Sequence, residues 1–275
     1  MRVGSSSGVV PAPPAPSSSA GSSVSGDLDP LESLLQKLGL EPVGGRAADG
    51  RRAADETTIC NCGIDGEECT LLMADLVRHA PVRVQYLFFG GAACGDAGAL
   101  AIADAMTRGA MPDLMAIDLS SNRATDVGFS AVVGSIAHCS RFRDLVFARN
   151  TLGDAGFAAL TEVLLRDEWP GVERLDLSGA EVERHTISDG AFLAFAAGLA
   201  DGQLKAIRLE VLGMSHCDVG DAGLQALCLA VKRGSLRRLK SLHLVSNHVS
   251  DEGAYDGPHS LFLIAPPSGD SASLC

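Results

Sequence analysis

The sequence predicts an α/β fold: a right-handed solenoid of about six repeats, with a parallel sheet on the concave face and helices outside. Three observations predict it. First, one segment recurs six times, starting at Val84, Leu114, Phe142, Val172, Leu209 and Leu239, at offsets of 30, 28, 30, 37 and 30 residues. Second, each copy holds apolar residues in alternation: Ile117 and Leu119, Leu145 and Phe147, Leu175 and Leu177, Leu212 and Met214, Leu242 and Leu244. That is the two-residue period of a strand. Third, an aspartate follows in every copy (Asp96, Asp126, Asp154, Asp189, Asp221, Asp251), and in the first five apolar residues stand three, six and ten positions later, as in Phe129, Val132 and Ile136. Those offsets trace one face of a helix. A strand, a turn and a helix cannot bury their apolar faces alone, so the units must stack.

Residues 1–57 read as a disordered arm. The first 26 are mostly Ser, Pro, Ala, Gly and Val with one charge, Arg2, too little apolar surface to offset chain entropy. This stretch is also similar to a plastid transit peptide, Ser-rich and without acidic residues before Asp27. A short amphipathic helix is predicted near 28–39, where Leu28, Leu31, Leu34, Leu35 and Leu38 recur at helical spacing. Asp29 suits its cap, Pro30 its first turn and Gly39 its end. Leu31-Glu-Ser-Leu34-Leu35 also fits an L-x-x-L-L box, and Leu31, Leu34, Leu38 and Leu40 fit a nuclear-export spacing; a packing helix is the plainer reading.

The solenoid is assigned to 58–254. It opens with a degenerate half repeat, Cys60-Asn-Cys62 standing in for the turn and Glu67 to Val77 for the helix. Each aspartate is expected to cap its own helix, at about 1 kcal/mol. Asn122, Asn150 and Asn247 are expected to bond loop backbone where strand pairing stops. Ala180 and Cys217 hold that slot in two repeats, so the ladder is expected to be incomplete there. Insertions at 183–188 and 204–208 mark loops on one face. After Gly253 no helical pattern follows, and Pro258, Pro266 and Pro267 oppose one. Residues 255–275 read as an irregular tail, whose Leu261-Phe262-Leu263-Ile264 either covers the open end or stays loose.

The pattern L-x-x-L-x-L-x-x-N/C-x-L, followed by a helix opened by Gly-Asp-x-Gly, resembles the leucine-rich repeat over residues 82–254. The type is similar to the ribonuclease-inhibitor-like class, also seen in NOD-like receptors and in Ran GTPase-activating protein. The resemblance implies a non-enzymatic protein-interaction module or scaffold binding a macromolecular partner on its concave face. The alternative it implies is a regulator of a small GTPase. The Ran regulators carry more repeats and an acidic tail, whereas Asp256 to Cys275 holds two acidic residues.

A net charge of −12 opposes nucleic-acid binding, which needs a basic stripe. No run of 18 apolar residues is present to span a membrane. The chain is expected to be a monomer with an unidentified protein partner. Cys94 and Cys217 in the repeat slot, and Cys228 on a helix face, read as small buried hydrophobes in a reduced protein. The expected location is cytoplasmic, with plastid targeting or nucleus–cytoplasm shuttling as alternatives. Cys60, Cys62 and Cys69 lack a fourth ligand at zinc spacing, and no catalytic or phosphate-loop motif is present, so neither a metal nor a cofactor is expected. The candidate partner-binding residues are Tyr86, Phe88, Asp118, Asp144, Arg149, Arg174, Asp176 and His243 on or beside the outward strand positions, with His185 in the inserted loop. Ala116 and Gly213 share the outward positions.

Overall fold

The computed structural model describes residues 58–60, 63–169, 171–180, 185–203 and 208–250. The predicted helix at 28–39, Cys62, residues 183–184 and 204–207 of the two insertions, and the Leu261–Ile264 segment lie outside them. Seven strands alternate with six helices: β1 (Thr58–Cys60), α1 (Gly66–Arg78), β2 (Tyr86–Phe88), α2 (Gly95–Thr107), β3 (Ala116–Asp118), α3 (Asp126–Ser135), β4 (Asp144–Val146), α4 (Asp154–Leu165), β5 (Arg174–Asp176), α5 (Asp189–Ala200), β6 (Val211–Gly213), α6 (Asp221–Lys232) and β7 (Ser241–His243). The strands form one sheet in chain order, every pair parallel, with Ile59, Leu87, Ile117, Leu145, Leu175, Leu212 and Leu242 in register. Residues 58–80 are therefore a full unit rather than a half repeat. Ile59 supplies the buried strand residue, and Asp65 with Glu68 closes a capping box on α1.

The central strand residues Leu87, Ile117, Leu145, Leu175 and Leu212 are no more than 1% exposed. They share one core with the helix residues read from the sequence: Phe129 of α3 packs edge-on against Phe147 just past β4 at 4.9 Å, and Phe157 of α4 lies tilted against Phe195 of α5 at 5.2 Å. Burying each such side chain contributes about 1.5–3 kcal/mol.

The aspartates do something other than expected. Each of the five in the described residues stands at or next to the first residue of its helix, while the cap positions of α3 to α6 belong to Thr125, Gly153, Ser188 and Gly220. Its carboxylate reaches forward into the next unit. Asp96 accepts from Thr125 N (2.7 Å), Thr125 Oγ (2.7 Å) and Gly128 N (3.0 Å). Asp126 accepts from Gly153 N, Asp154 from Ser188 N and Oγ, Asp189 from Gly220 N and Gly223 N, and Asp221 from Ser250 N and Oγ. One carboxylate thus satisfies orphan amides at the start of the following helix, where negative charge is favoured. The small residue at the third helical position lets it approach: a Cβ on Gly128 would stand 2.7 Å from Asp96 Oδ1 and 2.8 Å from Ala99 Cβ. Gly128→Ala is expected to cost about 1–3 kcal/mol by overpacking, read as a lowered urea midpoint.

The asparagine ladder forms as expected. Asn150 Oδ1 accepts from Asn122 N and Ala124 N, and its Nδ2 donates to Leu119 O and Phe147 O. Asn122 and Asn247 repeat the arrangement. Cys217 keeps the donor half of the role, its thiol donating to Leu177 O and Ser215 O at 3.2 Å. The remaining gap is at Ala180.

Candidate functional site

Alternation puts the second set of strand side chains on the sheet face away from the helices, and no described element covers that face. In register across it run Tyr86, Ala116, Asp144, Arg174, Val211 and Ser241, and beside them Phe88, Asp118, Val146, Asp176, Gly213 and His243. Tyr86 and Phe88 stand two residues apart on β2, so both rings share the face. They stack with centroids 5.9 Å apart at 25°. Phe88 is 39% exposed, while Tyr86 is half-buried with its hydroxyl 3.9 Å from Met115 Sδ. Exposed Cys60 pairs with Phe88 in register. Met115 and Cys60 extend this apolar ledge; neither stood out in the sequence, because Met115 precedes its strand and Cys60 lies in an atypical unit.

The acidic candidates gather toward the middle of the sheet, each half-buried. Asp118 Oδ1 accepts from Ser120 N (2.8 Å) and Asp176 Oδ1 from Ser178 N (3.2 Å), which fixes both carboxylates on their own turns. Burial, then the nearby charge of Glu173, holds the Asp144 carboxyl above its ordinary range, with Arg174 and Arg143 opposing. Arg174 lies 3.7 Å from Asp176 and Arg143 3.7 Å from Glu173, both with exposed guanidinium arms. Arg149 sits exposed on the following turn at φ 55°, and His243 is exposed on the last strand.

Two outward positions and the inserted-loop histidine are corrected. Ala116 is 6% exposed. Gly213 is buried beneath Asp176, whose Oδ1 lies 2.2 Å from where a Cβ on Gly213 would stand. His185 is no surface residue at all: it is 0% exposed. Its Nδ1 accepts from Leu152 N at 2.8 Å, the kind of bond that an asparagine makes in other units, and its Nε2 has no partner among the described residues. Burial, the largest cause, pushes its pKa down to about 4. With Ala180 in the asparagine slot, a histidine from the inserted loop fills the gap. The missing asparagine was the available signal.

Among the described residues, no group of three or more His, Cys, Asp or Glu is placed to hold a metal ion, and no helix is long and apolar enough to cross a membrane. Cys69, Cys94, Cys139 and Cys228 are free and buried, and Cys217 is buried too; burial pushes the Cys139 thiol up to about 11.

A family model described as leucine-rich repeat matches residues 209–228 and 236–256. No curated protein matches the chain. Among solved structures, the actin-binding site 2 of leiomodin-1 is similar at 15% identity, over 59% of this chain and 86% of that one, with a TM-score of 0.47. Internalin C2 from Listeria monocytogenes is similar at 17% identity, over 80% and 84%, with a TM-score of 0.45. Internalin F from the same organism gives 15%, 67% and 54%, and 0.34. The first matched segment spans β6 and most of α6 and the second includes β7, so the leucine-rich-repeat match falls on the stacked units that give the chain its solenoid fold.

Proposed function

We propose that the protein binds a protein partner on the concave sheet face, centred on Tyr86 and Phe88 with Asp118, Asp144 and Asp176 beside them. Leucine-rich-repeat domains mediate protein–protein interaction and are typically not enzymes. A full α-helix in each of six units supports the ribonuclease-inhibitor-like type. The observation that carries the reading is the stacked aromatic pair on an uncovered sheet face. Aromatic rings leave water readily and lose little rotamer freedom on binding, which makes them frequent hot spots.

The test is quantitative capture from a source extract by the intact protein and by the Tyr86→Ala/Phe88→Ala variant. Bound partner is expected to fall at least about tenfold, as losing a hot spot of roughly 2 kcal/mol implies, while the melting temperature stays nearly unchanged. Equal capture by both proteins, or melting lowered by many degrees, defeats the reading, the latter because the rings would then be core.

A further inference from the structure

Each later helix presents mostly small residues to the helix before it. In α3 these are Gly128, Ala131 and Ser135, the last donating its hydroxyl to Met106 Sδ of α2 at 3.3 Å. In α2 the same spacing gives Gly98, Ala101 and Ala105, and in α6 Gly223, Ala226 and Ala230. In α1 the three positions hold Glu68, Leu71 and Asp75, side chains that would not admit another repeat helix at the same distance.

No described element precedes β1 and α1, so this flank ends the described stack, and Leu71 on it is 39% exposed. The side chains beneath it are dry. Ile59 is 5% exposed, Ile64 and Leu72 0%, Met73 and Leu76 1%. Asp75 is 2% exposed, its Oδ1 near Arg78 (3.4 Å) and His79 (3.2 Å) and its Oδ2 without a partner among the described residues.

We propose that residues 28–40 of this chain dock as a helix on that flank of α1, their leucines over Leu71 and Lys37 turned toward Asp75. The preceding chain holds five leucines at helical spacing, and Lys37 is the single cation between Arg2 and Arg46. The linker 41–57 suffices for the return. The random-coil end-to-end distance for a chain of that length is about 20–25 Å, comparable to the roughly 20 Å length of α1. The L-x-x-L-L and export-like spacings of that segment are then the packing face of a cap.

Hydrogen exchange tests this, comparing the full chain, a variant lacking residues 1–40, and full-length Leu34→Asp/Leu35→Asp. Amides of β1 and α1 are expected to exchange at least tenfold faster in both variants, with α4 and α5 unchanged. A synthetic peptide of residues 27–41 is expected to restore protection to the truncated protein. If truncation prevents folding, the full-length double variant decides by the same readout. Protection of α1 that is equal in all proteins overturns the proposal. So does protection that rises with protein concentration, since the cover would then be a second copy.

Discussion

Replacing His185 with Ala is expected to lower unfolding free energy by about 3 kcal/mol, measured by urea denaturation at neutral pH. Two losses combine: the Leu152 N–H is left buried without an acceptor, about 1–3 kcal/mol, and the imidazole leaves a hole in a packed layer. His185→Asn places Oδ1 where Nδ1 now accepts and is expected to recover much of that loss. The pair also separates contact from charge. The folded-state pKa of about 4 lies below the ordinary 6.5, so folding favours the neutral ring. Its contribution is complete above pH 6.5, declines as pH falls toward 4, and changes little below that. The interval corresponds to about 3 kcal/mol. The wild type should lose stability across that window more steeply than His185→Asn; parallel pH profiles would show that the ring does not titrate as a buried base.

Asp96→Ala is expected to cost about 2–3 kcal/mol. It strips two amides and a hydroxyl of their acceptor and removes a negative charge from the start of α3. Asp96→Asn, which keeps one acceptor oxygen, is expected to cost about half as much. Because the bonds cross between units, the Ala variant should also loosen the coupling between the second and third layers, lowering the denaturant slope if unfolding ceases to be concerted. A change under about 0.5 kcal/mol would mean that water replaces the carboxylate without loss.

Strand and helix periods were legible because backbone geometry fixes them: Leu145 and Phe147 point one way whatever surrounds them, and Phe157, Leu160 and Leu164 share a face. The placing of Tyr86 and Phe88 on the sheet face away from the helices followed from the same alternation. What escaped were features set by neighbours distant in sequence. Asp96 at a helix start satisfies a local-cap reading as well as a forward clamp, and only the position of Thr125 decides. Gly213 and Ala116 occupy outward register positions and are nonetheless buried, Gly213 beneath Asp176 of the adjacent strand. His185 lies five residues past the empty slot it serves, beyond the reach of a repeat alignment.

The forward clamp also bears on how such a chain changes length over evolutionary time. Duplicating one whole unit supplies both a carboxylate at its helix start and the amides that receive its predecessor's carboxylate, so the series stays closed. A fractional insertion between strand and helix is tolerated as well, provided that it leaves the helix start in place: Asp154 still reaches Ser188 across a longer intervening loop. A fractional insertion inside a helix would displace a donor from its acceptor at one junction and be selected against. Growth by gene duplication is therefore quantised, in whole turns of the same unit.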